Sequence, residues 1–150
     1  MRGKNALAFV ASFALAATVS AQAAQGKAPV FMPAASLVWA PLDPAGAPGV
    51  MSVDVWGDHT KGAFGGFTKF PAGFQTPLHT HTSDYKIVVV SGTFLQGPEG
   101  KPVVLLGPGS YLVQPGGSYR HTTGCDKASE CVVFIQSEGK FDLLPVAETK

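Results

Sequence analysis

Charged residues are scarce in this 150-residue chain, and neither sign dominates. It has 11 Lys and Arg against 10 Asp and Glu, which gives a net charge of +1 at pH 7. Proteins that bind nucleic acid or anionic lipid use clustered basic side chains, and no such cluster is present in the sequence. We therefore expect neither of these as a partner.

Cysteine is also scarce, since Cys125 and Cys131 are the only two. A structural zinc site built from cysteines would need a second pair, which the chain lacks. In an exported protein a closely spaced pair is typical of a disulfide, and the polar residues 126–130 fit a connection between two strands. The sequence predicts a Cys125–Cys131 disulfide, with two free thiols as the alternative.

A sustained 3.6-residue apolar period is missing from the chain after its N-terminal segment, which argues against long helices. Instead, 18 Gly and 12 Pro separate short stretches rich in Val, Ile, Phe, Tyr and Thr. This pattern is typical of a single all-β domain, a sandwich or a barrel. The candidate strands are Val30–Met32, Ser36–Trp39, Val50–Val55, Ala63–Phe70, Pro77–His81, Tyr85–Ser91, Thr93–Gln96, Val103–Leu106, Tyr111–Gln114 and Glu130–Gln136.

The N-terminal segment has the three parts of a secretory signal peptide. A basic head with Arg2 and Lys4 precedes an apolar run and the small-residue site Ala21-Gln22-Ala23. The run is shorter than the roughly 20 residues of a membrane-spanning helix, so cleavage is favoured over an anchor. We expect a signal peptide at residues 1–23 and a domain at residues 28–146, without a membrane span, in the periplasm or secreted.

One candidate strand, Tyr85–Ser91, has an apolar run at residues 87–90 that does not alternate with polar residues. Such a run is typical of a strand that is buried on both faces. One face would fill the interior of the domain, and the other could pack against a second subunit. The sequence therefore predicts a homodimer.

The histidines include one closely spaced pair, His79 and His81. Residues two apart on a strand point to the same side, so both imidazoles could bind one divalent metal ion. His59 lies in a turn-rich segment and is expected to be a solvated loop residue.

The spacing around this pair is informative. Five residues separate Gly73 from His79, three separate His81 from Tyr85, and six separate Tyr85 from Gly92. The segment resembles the first motif of the cupin superfamily, which reads Gly, five residues, His-x-His, three or four residues, Glu, six residues, Gly. Every spacing matches, and only the Glu position differs, where this chain has Tyr85.

The second cupin motif is Gly, five residues, Pro-x-Gly, two residues, His. Gly109 and the segment Pro115–Gly117 fit it, but His121 comes one residue late, and Arg120 stands at the motif position. One extra residue reverses the side to which a strand residue points. We favour a bulge near the paired glycines that returns His121 to the interior. In the alternative, Arg120 points inward and the pocket suits an anionic ligand.

Tyr85 has the strand parity of the histidine pair and can point into the site. A neutral phenol is a poor metal ligand because its reference pKa is about 10. Tyr85 is therefore expected to be a hydrogen-bond donor beside the ligands or a packed aromatic residue, and both readings stay open. Gln75 and Tyr119, together with Arg120, are candidates for the mouth of the pocket.

The resemblance covers residues 28–146 and is strongest to small single-domain cupins similar to the cupin lobe of ChrR-type anti-sigma factors. It implies a double-stranded β-helix, a jelly-roll barrel of six to eight strands, with a metal in its mouth. His79, His81 and His121 would hold one divalent transition metal: Fe, Zn, Ni, Mn or Cu. The function would be a dioxygenase-type enzyme acting on a small organic molecule. The alternatives are a non-catalytic cupin that senses or carries a metal or small ligand, and a sealed structural barrel.

Overall fold

The strands form two antiparallel sheets. A computed structural model of the chain describes residues 28–43 and 45–147, so the predicted signal peptide lies outside the described residues. The described strands are β1 (Ala40–Pro41), β2 (Met51–Gly57), β3 (Phe64–Phe70), β4 (His79–Thr80), β5 (Tyr85–Ser91), β6 (Phe94–Pro98), β7 (Val104–Leu106), β8 (Tyr111–Gln114), β9 (His121–Cys125), β10 (Cys131–Ser137) and β11 (Leu144–Pro145). A short 3-10 turn at Ala34–Ser36 precedes them.

The six-stranded sheet has the order β1-β2-β3-β10-β5-β8, and the five-stranded sheet has the order β11-β4-β9-β6-β7. Neighbours in space are often far apart in sequence, as in a jelly roll, where strands from distant parts of the chain alternate. The all-β double-stranded β-helix predicted from the sequence is confirmed.

Alternate residues of the central strands form the core between the sheets. In β10 the buried side chains are those of Cys131, Val133, Ile135 and Ser137, and the residues between them are half-buried. Phe94 reaches the same core from the five-stranded sheet. This is the period of two that a pleated strand imposes on its two faces.

Strand β5 follows the same period, although its residues 87–90 are all apolar. Ile87 and Val89 are buried, whereas Val88 and Val90 are 39% and 47% exposed on the outer face of the sheet. The inner face of β5 is therefore buried within one chain, as expected. The outer face would be buried only if a partner covered it.

The sequence was least informative about the ends of the domain and about one inner strand. The strands predicted at Val30–Met32 and Ser36–Trp39 are wrong: residues 30–32 have no regular structure, and Ser36 ends the 3-10 turn. A short apolar stretch becomes a strand only where it finds a pairing partner. Strand β9 was missed because its sequence, His-Thr-Thr-Gly-Cys, has little apolar character, although most of it is buried.

The predicted disulfide is confirmed. Cys125 ends β9 and Cys131 begins β10, and their sulfur atoms are bonded at 2.04 Å. The bond joins the two sheets four residues from His121 along the same strand. Within residues 28–43 and 45–147, no helix has the length and apolar character needed to span a membrane.

Candidate metal centre

Three histidines from two adjacent strands meet at one buried point. His79 begins β4, His81 follows the end of that strand, and His121 begins β9 directly opposite His79. Their exposed fractions are 1%, 4% and 0%, and one ring nitrogen from each lies within 4.8 Å of the others. The i, i+2 spacing therefore brings the pair together as predicted, and the antiparallel pairing of β4 with β9 adds the third ring.

Each imidazole is held through its Nδ1 atom by a backbone carbonyl. The acceptors are Pro77 O at 2.9 Å for His79, Asp142 O at 2.5 Å for His81 and Tyr119 O at 3.3 Å for His121. A carbonyl oxygen only accepts, so each Nδ1 carries the proton and each Nε2 keeps a free lone pair. The Nε2 atom of His121 is buried and has no hydrogen-bond partner. A metal ion would satisfy it, so this donor set fits a divalent transition metal.

Burial also keeps the three rings neutral. Desolvation lowers the pKa of His81 to about 4 and that of His121 to about 3, and it lowers the pKa of His79 as well. Neutral imidazole is the form that binds a metal. The site is therefore in its ligating form throughout the neutral pH range.

The extra residue before His121 is absorbed in a loop and not in the sheet. From His121 to Cys125, β9 pairs with β6 without a register shift, so no bulge lies within the strand. Gly117 adopts φ +72°, and its N–H donates to His81 O at 2.7 Å. The favoured outcome, in which His121 faces the site, is what the structure shows, although the correction falls in the turn before the strand.

Arg120 points away from the histidines. Its Nε lies 3.1 Å from Glu99 Oε2, and its guanidinium donates to Ala147 O. The alternative of an inward Arg120 and an anion-binding pocket is therefore not the observed arrangement.

Tyr85 is buried and bonded to the backbone of one residue. Its hydroxyl accepts from Asp142 N at 3.0 Å and donates to Asp142 O at 3.3 Å, and its ring stacks on Phe141. Burial raises the pKa of Tyr85 to about 12, so the group is a neutral phenol. Of the two readings left open by the sequence, the structure supports a hydrogen-bonding residue beside the ligands.

Asp142 is the central residue that sequence reasoning did not assign to the site. Its carbonyl oxygen accepts from both His81 Nδ1 and the Tyr85 hydroxyl. Its carboxylate accepts from Thr82 N at 2.9 Å and lies 4.0 Å from His81 Nδ1. Nothing in the local sequence marks it, because residue 142 reaches the site from 60 positions away only once the chain has folded.

The other predicted pocket residues have lesser roles. Gln75 forms an isolated bridge with Gly124, and the Tyr119 ring stacks on His121 at 5.1 Å. A buried amide, that of Gln114, lines the inner cavity with His79 and His81 and accepts from Gln96 Nε2 at 3.3 Å.

His59 is not a freely solvated loop residue. Its Nδ1 lies 2.8 Å from an oxygen of Asp54, and Asp58 is nearby. Asp58 is bonded to Thr60 and Lys61 in the same turn. These contacts stabilise the connection between β2 and β3.

Two adjoining cavities lie near the histidines, which line the inner one. The inner one, of about 40 Å³, is lined by His79, His81, Tyr85 and Gln114 among others. The outer one, of about 360 Å³, is bordered by the loop that precedes β2 and by residues 141–143. Phe70, Thr76, Phe141 and Leu143 border both cavities.

The fold is that of the cupins, as comparison with solved structures shows. The polyketide cyclase RemF from Streptomyces resistomycificus has a TM-score of 0.64 at 14% identity, covering 82% of this chain and 89% of that one. An RmlC-like cupin from Ralstonia eutropha has a TM-score of 0.59 at 23% identity, covering 73% and 68%. The DMSP lyase DddQ from Ruegeria pomeroyi has a TM-score of 0.58 at 21% identity, covering 75% and 61%.

The chain belongs to the family described as "Domain of unknown function (DUF4437)", whose family model matches residues 32–150. Comparison with curated protein sequences finds no match. The chain spans 63% and 61% of the two DMSP lyase chains it matches, less than two thirds of their length.

Proposed function

We propose that this protein is an exported metal-dependent cupin whose three-histidine site acts on a small organic molecule. The observation that carries the proposal is the orientation of the rings. Every Nδ1 is held by a backbone carbonyl, so three neutral Nε2 lone pairs are left in one buried place. Fe, Zn, Ni, Mn and Cu all accept such a ligand set.

Metal binding is tested by elemental analysis of protein purified without a His tag and reconstituted with each ion. We expect about one ion per chain in the native protein. The double variant His79→Ala, His81→Ala should bind more than about a hundredfold more weakly, since loss of a ligand's outer partner alone costs about 10- to 100-fold. His59→Ala, which removes a histidine bonded to Asp54, is the matched control and should bind normally.

For the reaction we propose dioxygenase-type chemistry. A bound ion would supply a Lewis acid and, if it is iron, an electron source for O2. The chain's own residues would orient the ligands through Asp142 and exclude water with the rings of Phe70 and Phe141. O2 uptake by the iron-loaded protein with a panel of diketones and thiols tests this. Lyase and cyclase substrates belong in the same panel, because fold neighbours carry those names.

A second candidate is a non-catalytic cupin that senses or carries a metal or small ligand, as similarity to the ChrR cupin lobe would suggest. The observation that favours it is the size of the inner cavity, which at about 40 Å³ has room for an ion with a water or two. Tight ligand or metal binding, with no turnover across the whole panel, would favour this candidate over the enzyme.

Export rests on the signal-like sequence at residues 1–23 and is tested by expression of the full chain in a Gram-negative bacterium. The expected product is a periplasmic protein whose measured mass is that of a chain beginning at Ala24. A full-length product in the cytoplasm would contradict export.

We also propose a homodimer formed through the outer face of the six-stranded sheet. Val88 on β5 pairs with Tyr111 on β8, Val113 pairs with Lys86, and Val90 lies two residues beyond Val88 on β5. The three valines and Tyr111 are 39–58% exposed, and apolar side chains gathered on one exposed face mark interaction sites. Light scattering should give twice the chain mass, and Val88→Lys with Val113→Lys should give a monomer that still binds metal.

A further inference from the structure

The inner cavity cannot hold an organic molecule, and this directs attention to the outer one. Ligand sites typically occupy about 300–1,000 Å³, a range that includes the outer cavity of about 360 Å³ but not the inner one of about 40 Å³. The two cavities share four lining residues, so a molecule in the outer cavity would lie next to the inner cavity, which His79 and His81 line.

The outer cavity is lined by aromatic, aliphatic and acidic side chains. Phe70, Phe74 and Phe141 provide aromatic faces, and further apolar side chains complete most of the surface. The charged residues that line it are Asp43 and Asp142, and no basic residue lines it within the described chain. An organic anion in this cavity would lose water and meet only negative charge.

We propose that the outer cavity binds a small organic ammonium ion with an apolar body, as the substrate or ligand of the neighbouring metal site. Phenylalanine faces attract cations through their ring quadrupoles, and the two carboxylates add charge complementarity. The inference rests on the proposed function for the role of the ligand, although binding itself does not require the metal.

Asp43 is suited to this role by its hydrogen bonds. Its Oδ1 accepts from the N–H groups of Ala45 and Gly46, which fixes the side chain in a turn at the cavity edge. No hydrogen bond of its Oδ2 is seen among the described residues. Asp43→Asn keeps an acceptor for the turn and removes only the charge, so the variant is expected to fold.

The experiment is calorimetric titration of metal-free protein, kept in chelator, with three probes that share a benzyl group: benzyltrimethylammonium, benzyl alcohol and benzoate. We expect the cation to bind about tenfold more tightly than the alcohol and benzoate to bind most weakly. Asp43→Asn should remove most of the preference for the cation. Asp126→Asn is the matched control, because Asp126 holds a similar turn through Ala128 N outside the cavity, and it should change nothing.

Equal binding of the three probes, a preference for benzoate, no binding at all, or an Asp43→Asn variant with the full preference would each overturn the proposal. Since the titration uses metal-free protein, these outcomes are independent of metal content and turnover. If the protein prefers the cation but never binds a metal, the result would support the ligand proposed for the outer cavity and contradict the proposed metal-dependent function.

Discussion

Removal of one hydroxyl group tests how the site is built. In Tyr85→Phe, the ring keeps its stacking on Phe141 and its edge contact with Phe64, so no cavity forms. The loss is confined to two hydrogen bonds with Asp142. The carbonyl of Asp142 still accepts from His81, but its N–H loses the one acceptor that it has among the described residues.

The expected loss of stability follows from the N–H of Asp142, which is left without its acceptor while the carbonyl keeps a donor. A buried donor left without an acceptor costs about 1–3 kcal/mol, and the longer 3.3 Å bond adds little. Because the Asp142 N–H is only part-buried, we expect the free energy of unfolding to fall by about 1 kcal/mol, the lower end of that range. Urea denaturation of the metal-free protein measures this loss as a lower midpoint with an unchanged slope. Tyr111→Phe, on the exposed face of β8, is the matched control and should be close to neutral.

Metal affinity is the second readout. The Tyr85 ring packs against His81 with 4.5 Å between ring centroids, a contact that Phe keeps, and its hydroxyl is hydrogen-bonded to Asp142. We therefore expect the metal affinity of Tyr85→Phe to fall by no more than about tenfold, the lower end for an outer partner. The copper-loaded native protein should also lack a phenolate charge-transfer band. A loss above about a hundredfold with unchanged stability would refute the reasoning, because it would identify Tyr85 as a direct ligand.

Three further outcomes are expected. Replacing Cys125 and Cys131 by Ser should lower the free energy of unfolding by about 2 kcal/mol in non-reducing urea titrations, and an unchanged midpoint would contradict this. Below pH 6.5 the histidines of the unfolded chain bind protons, whereas the buried histidines of the folded protein stay neutral. The stability of the metal-free protein should therefore fall between pH 6.5 and about 4. The slope is at most about 1.4 kcal/mol per pH unit for each histidine, and a flat profile would exclude buried neutral rings. Gly116→Ala would bring a Cβ within 2.5 Å of backbone and should weaken metal binding, whereas Gly107→Ala, in open space, should not.

The sequence predicted the fold and the meeting of His79 with His81, because both depend on local spacing. Glycines at fixed distances from His79 and His81 mark turns, and the two-residue spacing fixes a shared face. It could not place His121 firmly, since the residue that shifts the register is accommodated by the conformation of Gly117 and not by any pattern along the strand. It missed β9 for a related reason, because a strand whose buried face lines a polar site carries no apolar alternation.

Long-range contacts explain what the sequence did not show. Asp142 lies 57 residues from Tyr85 and 61 from His81, and it contacts both through its backbone. A backbone acceptor leaves no trace in residue type, so no motif could have identified it. The cavity lined by Asp43 and Asp142 likewise exists only because a loop before β2 and a segment after β10 come together in the folded chain.

Tyrosine at the carboxylate position changes the electrostatics of the centre. Three neutral imidazoles leave a divalent ion its full charge, where a glutamate ligand would cancel part of it. The Asp142 carboxylate lies 4.0 Å from His81 Nδ1, which is itself bonded to the carbonyl of the same residue. Compensation of the charge of a bound ion would therefore act through His81 and not through a direct carboxylate ligand. Asp142 also lines the outer cavity, so its one negative charge would serve both the proposed metal site and the proposed ammonium ligand.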